Sequence, residues 1–347
     1  MGLVVFSFLS FQTKVQAQER DSTAKLTVLP LIFYSPETKF GFGAASIYTF
    51  QLPNSTLQSQ AQLGFAYTSL KQVLLYTPFQ VFSEKYRLEG ELGYYRYTYK
   101  FFGIGAEVAK THEEDYDVSF PRFRAELYRA YKNIYTGLAI DADYYKVTQL
   151  DSTGILHNEK ISGFEGMQYI GIGPSVIFDT RNDNFYPNSG CLVNLKYSYY
   201  PKFAEDFQSF NKVQFNATKY ASLGKAVLAS QVGFEQNRGD IPFVQFAGLG
   251  GSKLMRGYYA DRFRDRNATY LQSEYRYVPQ RVGFTLFASL GWVSQDFESL
   301  AIKESIYTYG AGFRYQLQKE KMVNLRVDMG WNQLGKVNFY VTVLEAF

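Results

Sequence analysis

Between Val323 and Asn332 the side chains alternate residue by residue, with Val323, Leu325, Val327, Met329 and Trp331 on one parity and Asn324, Arg326, Asp328, Gly330 and Asn332 on the other. A β-strand points successive side chains to opposite faces, so this segment is a strand with one apolar face and one polar, partly charged face. The division recurs where Cys191, Val193, Leu195, Tyr197 and Tyr199 alternate with Asn194, Lys196 and Ser198, and where Ala61, Leu63, Phe65 and Tyr67 alternate with Gln60 and Gln62. Further strands are expected to start near Leu26, Lys39, Lys71, Tyr86, Ser119, Asn133, Gly166, Gln208, Lys225, Thr269, Val282, Ser305 and Val337, bounded by Asn, Gly, Pro or charged turns. Together these make roughly sixteen, an even number, as an up-and-down antiparallel barrel requires.

Composition decides what the apolar face meets. Mean hydropathy is only −0.23, and beyond the first residues no run approaches the ~18 apolar residues of a helical span, which excludes a helical membrane protein. A barrel escapes that test because lipid-facing and lumen-facing residues average out along each strand. Aromatic residues make up 18% of the chain, with 30 Tyr and 31 Phe. A soluble sandwich or propeller would bury its apolar face and has no need of Tyr and Phe at so many strand ends, whereas interfacial girdles explain them. The connections also alternate in length. Ser83-Glu84-Lys85, Tyr131-Lys132-Asn133, Leu223-Gly224-Lys225 and Gln316 to Lys321 are brief, while Tyr99 to Val118, Val147 to Glu165 and Asn237 to Ala268 are long. Short periplasmic turns and long outer loops are the outer-membrane pattern, so the expected fold is all-β, a transmembrane antiparallel barrel.

Gly2 to Phe11 form an apolar run and Val15-Gln16-Ala17 ends in small residues, the pattern of a signal peptide over residues 1–17. No Lys or Arg precedes that run, which points to an upstream start codon. Residues 18–25 then form a short segment, and 26–347 the barrel. The single cysteine, Cys191, allows no internal disulfide, and no cysteine follows the cleavage site as a lipoprotein would need. The net charge of +4 without a basic cluster gives no sign of nucleic-acid binding. The two histidines, His112 and His157, fall in outer loops, so neither a catalytic constellation, a metal site nor a cofactor is expected.

The longest outer loop carries Gly250-Gly251-Ser252-Lys253-Leu254-Met255-Arg256-Gly257-Tyr258. Its glycines permit positive φ and close backbone packing, so the loop is expected to fold into the lumen and carry Arg256 to an inward-facing acid. Tyr270, Gln272, Glu274 and Arg276 share one parity in the next strand, which makes Glu274 that acid. A second run, Phe178-Asp179-Thr180-Arg181-Asn182-Asp183-Asn184-Phe185-Tyr186-Pro187-Asn188-Ser189-Gly190, reads as a tight periplasmic turn. There Pro187 fixes φ, Gly190 permits an unusual φ, and Asp179 and Asp183 can cap amides or pair with Arg181; its charges read equally as a solvated turn.

These motifs resemble the outer-membrane assembly and secretion barrels of the BamA, TamA and FhaC type, the bacterial surface antigen superfamily. Leu254-Met255-Arg256-Gly257-Tyr258 is similar to that family's Arg-Gly-Phe/Tyr loop, residues 178–190 to its Asp-Thr-Arg and Pro-x-x-Gly turn, and Glu274-Tyr275-Arg276 to its Glu-x-Arg strand. Phe101-Phe102-Gly103-Ile104-Gly105 is also of the family's kind. The resemblance implies that Arg256 is held by Glu274 and by an Asp in a Phe-x-Asp-x-Gly strand. That stretch here reads Phe287-Ala288-Ser289-Leu290-Gly291, so the lock is expected to have one carboxylate fewer, at Ser289, and a weaker grip. Phe347 looks like the terminal aromatic by which barrels are recognised for insertion, although Glu345 stands where another aromatic is usual.

The resemblance implies a barrel-only member, without periplasmic repeat domains, acting in or with protein insertion or translocation at the outer membrane. Its partners would be outer-membrane lipid and protein subunits or client barrels. Two other readings stay open. One is a gated pore for ions or small solutes, with Glu89, Glu91, Arg122, Arg124, Glu126, Lys212, Arg326 and Asp328 in a polar lumen. The other is a structural accessory barrel in a surface complex.

Overall fold

The alternation read at 323–332 runs through the whole wall of the protein. The structure, a computed structural model, describes residues 24–347 except 54, 56, 185, 205–206, 297–304 and 319–322. The expected signal peptide and most of the segment 18–25 lie outside the described residues. The strands are β1 (Lys25–Ser35), β2 (Lys39–Phe50), β3 (Ser59–Thr68), β4 (Val73–Phe82), β5 (Tyr86–Phe101), β6 (Glu114–Tyr131), β7 (Ile134–Leu150), β8 (Gly166–Asp179) and β9 (Gly190–Tyr200). They continue with β10 (Phe210–Leu223), β11 (Ala226–Gly239), the short β12 (Ala247–Leu249) and β13 (Phe263–Asp265), then β14 (Asn267–Tyr277), β15 (Val282–Ser294), β16 (Ile306–Gln318), β17 (Val323–Asn332) and β18 (Val337–Val343). All but β12 and β13 form one closed antiparallel barrel of sixteen strands, in which β11 pairs directly with β14. β12 and β13 pair with each other inside the 240–266 connection.

The faces are inverted relative to a soluble protein. On β15, Phe284, Leu286 and Leu290 are exposed, while Thr285, Phe287 and Ser289 are buried. On β17 the buried residues include Asn324, Arg326, Asp328 and Asn332. Apolar side chains therefore form the outer belt and polar ones the interior, which is the arrangement lipid demands of a spanning barrel.

Two expectations need correction. The loop expected from Tyr99 to Val118 shrinks to residues 102–113, because β5 and β6 run on to Phe101 and back from Glu114. β7 and β11 likewise extend to Leu150 and Gly239. The reason is packing: Tyr97, Phe101, Tyr116, Val118 and Phe120 bury on the inner face there, in one cluster with Phe243 and Val244 of the 240–266 connection. The aromatic content is thus not spent on outer girdles alone. Across neighbouring strands inside the wall, Phe120 stacks on Tyr145 at 4.2 Å and Tyr200 on Phe210 at 4.1 Å.

Closure is uneven. β1 pairs with β2 from Lys25 to Ser35, yet it meets β18 at one registered point, Tyr34 opposite Val341.

Because the outer face meets lipid, Leu286→Arg is expected to cost about 2–4 kcal/mol and Val282→Arg, at the strand end, about 1 kcal/mol or less. Reversible urea unfolding in lipid vesicles measures both. Equal costs would contradict the outward assignment of β15.

Candidate functional site

A guanidinium taken from water must find carboxylates and hydrogen-bond acceptors, or it costs several kcal/mol. Arg256, Arg276, Arg314 and Arg326 are among the largest fully buried side chains of the protein. They share Glu274, Asp328 and Glu345.

Arg256 reaches this cluster from the 240–266 connection. Its Nη2 donates to Glu274 Oε2 and its Nη1 to Asp328 Oδ2, with the guanidinium carbon 3.7 Å from the centre of the Phe287 ring. Arg276, two residues along β14, donates from Nε to the other oxygen of Glu274 at 2.7 Å. Arg314 on β16 donates to Asp328 Oδ1 at 2.6 Å and to Glu345 Oε2 at 2.8 Å. Arg326 on β17 donates to Thr342 Oγ1 at 2.9 Å and to the Ser252 carbonyl at 2.8 Å.

The backbone around Arg256 is fastened as closely as its side chain. Gly250, Gly251 and Gly257 all adopt positive φ, which side chains with a Cβ rarely allow. At Gly257 the connection lies directly on β17, and a Cβ there would come within 2.9 Å of the Trp331 carbonyl oxygen; one on Gly330 would come within 2.6 Å of the Arg256 carbonyl oxygen. Asn338 donates to the Gly257 carbonyl at 2.8 Å. The Tyr340 hydroxyl accepts from the Gly257 amide and donates to the Tyr258 carbonyl, at 3.0 and 2.7 Å. The Ala260 amide donates to Glu37 in the β1–β2 turn at 2.6 Å, and burial pushes the Glu37 carboxyl pKa up. Tyr258 packs edge-on against Phe263 at 4.9 Å.

The turn between β8 and β9 also packs against the cluster. Asp179 pairs with Arg181 at 2.8 Å, Asp183 accepts the Tyr186 amide at 2.8 Å, and Gly190 takes φ +93°. It is more than a solvated turn: Tyr186 is buried, and the Arg276 guanidinium carbon stands 6.0 Å from its ring, 5.9 Å from that of Tyr220 and 5.4 Å from that of Phe347. Pro187 and Phe347 both line one cavity.

The expectation of a lock lacking one carboxylate is corrected. Ser289 makes no hydrogen bond to Arg256 among the described residues, and Asp328, two strands further on, supplies the second acid. Sequence reasoning placed Asp328 inside without pairing it, and it passed over Arg314, Asn338, Tyr340 and Glu37. One signal was available. Arg314 and Arg326 stand opposite each other on neighbouring strands, and like charges so placed call for an acid between them. Of the histidines, His112 is half-buried with Nε2 3.5 Å from Glu114, rather than free in solvent, and His157 is exposed.

A closed barrel with a lipid-facing apolar belt and a polar interior defines the chain as an outer-membrane barrel. The Omp85 superfamily domain matches residues 41–343, and the chain belongs to that superfamily. No curated protein sequence matches it. The fold is similar to that of BamA from Haemophilus ducreyi lacking POTRA domains 1–3 (TM-score 0.66, 12% identity, 93% of this chain and 70% of that one). It is also similar to CdiB from Escherichia coli (TM-score 0.60, 10% identity, 94% and 68% covered) and CdiB from Acinetobacter baumannii (TM-score 0.54, 10% identity, 93% and 65% covered).

Two outcomes follow from the cluster. Asp328→Ala removes the carboxylate that Arg256 and Arg314 share and is expected to cost about 3–5 kcal/mol, whereas Ser289→Ala should cost about 1 kcal/mol or less; denaturant unfolding compares them, and the reverse ranking would reject the assignment. Arg256→Ala should leave the barrel folded but raise protease cleavage within residues 240–266, and an unchanged digestion pattern would count against the anchoring role of Arg256.

Proposed function

We propose that this barrel acts in the insertion or translocation of proteins at the outer membrane, using the edge of β1 as a template on which a client strand pairs. The observation that carries this reading is the seam. β1 is bonded to β2 along its full length, but β18 stops at Val343 and meets β1 at a single registered point. Unpaired N–H and C=O groups in lipid cost several kcal/mol each, so such an edge is an acceptor for any strand that presents itself. Membership of the Omp85 superfamily supports the same reading.

In this reading the 240–266 connection occupies the lumen and closes it. Its contacts reach the inner faces of β5, β6, β10, β14, β15, β17 and β18, and Arg256 is the lock that holds it there. Phe347 serves as the insertion signal of the barrel itself. Periplasmic subunits and client barrels are the partners this activity requires.

The test is a photo-crosslinking residue in place of Leu29, on the β1 edge, in growing cells. Adducts with outer-membrane barrels in the course of folding are expected there, and none from Leu286 on β15, four strands from β1 around the wall. Absence of adducts, together with steady conductance of the purified protein in planar bilayers, would replace this reading with that of a solute pore.

A further inference from the structure

After Val343 the chain leaves the barrel wall. Leu344 takes φ +70° while its amide still donates to the Asn324 carbonyl opposite it on β17 at 2.8 Å, so the extended strand conformation ends at Leu344 itself. Glu345 is then buried, accepting from Arg314 Nε and from Asn324 Nδ2, both at 2.8 Å. Arg276 Nη2 donates to the Phe347 backbone oxygen at 2.5 Å.

Had the chain run straight on, the register set by Tyr34 and Val341 would place Leu344 opposite Leu31 and Ala346 opposite Leu29. The segment cannot do both. Paired with β1 it would abandon Arg314 and Arg276, and held by them it leaves the lower β1 edge without a partner among the described residues. A cavity of about 160 Å³ lined by Arg181, Tyr220, Lys253, Glu345 and Phe347, among others, adjoins the segment on its inner side, so the held segment is not enclosed by packed core.

We infer that residues 344–347 are an ionic latch, and that the latch is coupled to the docking of the 240–266 connection through shared carboxylates. Asp328 gives one oxygen to Arg314 and the other to Arg256, and Glu274 gives one to Arg276 and the other to Arg256. Withdrawing Arg256 removes a positive charge from the cluster and frees both acids to draw Arg314 and Arg276 toward themselves. Both effects weaken the hold on Glu345 and Phe347. By linkage, releasing Glu345 weakens the hold on Arg256 to the same extent. The coupling does not depend on what the barrel transports.

The experiment uses the full chain in outer membranes, with Cys191→Ser removing the native thiol and Leu29→Cys paired with Ala346→Cys across the seam. Disulfide formation under a copper–phenanthroline oxidant reports how often the segment lies along β1. Glu345→Gln and Arg256→Ala are each expected to speed it about fivefold or more, with heat-modifiable mobility showing that each variant is folded. Asn324→Ala, which loosens Glu345 without removing a charge, gives a second route should Glu345→Gln not fold. A parent rate already as fast as that of Glu345→Gln overturns the latch, and a normal rate in Arg256→Ala beside a fast one in Glu345→Gln overturns the coupling.

Discussion

The structure depends on pairing four buried guanidinium groups with three carboxylates, Glu274, Asp328 and Glu345. Each cation alone would cost several kcal/mol in that interior, so the acids have to arrive in register. They sit on β14, on β17 and just after β18, while the arginines come from the 240–266 connection, β14, β16 and β17. The requirement therefore reaches across the last third of the chain. It also explains bare backbone positions: a side chain at Gly312 would collide with Asp328, Arg314 and Thr285, and one at Gly330 with the backbone of Arg256 and Gly257.

The opposite wall applies the same rule with aromatic support. Arg122 on β6 is paired in two-pronged fashion with Asp143, directly across on β7, with Nε–Oδ1 at 3.0 Å and Nη2–Oδ2 at 2.7 Å. Its guanidinium carbon lies 5.0 Å from the ring of Phe120 and 5.5 Å from that of Tyr95, and the Tyr169 hydroxyl donates to Asp143 at 2.6 Å. An interior built this way is held by paired charges and stacked rings together with buried aliphatic residues such as Val118 and Val244.

What could be read from the sequence was whatever depends on local periodicity. The strand count, the inward parity of Glu274 and Arg326, and the alternation of short and long connections all follow from period two and turn residues, and the barrel has them. Strand ends were less legible. At Tyr99 to Val118 the alternation of Tyr97, Tyr99 and Phe101 against Tyr116 and Val118 continues past the expected turn, but only contacts with Phe243, far away in sequence, make those residues strand rather than loop. Leu344 was illegible for the same reason, since nothing in Leu-Glu-Ala-Phe announces a left-handed residue. Its turn exists because Asn324, Arg314 and Arg276 draw the chain inward.

The acid that pairs with Arg256 shows where motif reading and physics part. A motif ties a role to a position in one strand, so Ser289 looked like a lost carboxylate. The guanidinium requires only an acid within reach, on an inward parity, with space around it. Inside a closed barrel the inner faces of different strands converge on the same volume, so Asp328 on β17 can serve Arg256 although it is two strands from the position the motif names. Moving the acid also changed what it is connected to. On β17 it is shared with Arg314, whose other partner is Glu345, so the departure at Ser289 and the unusual acid at position 345 belong to one network.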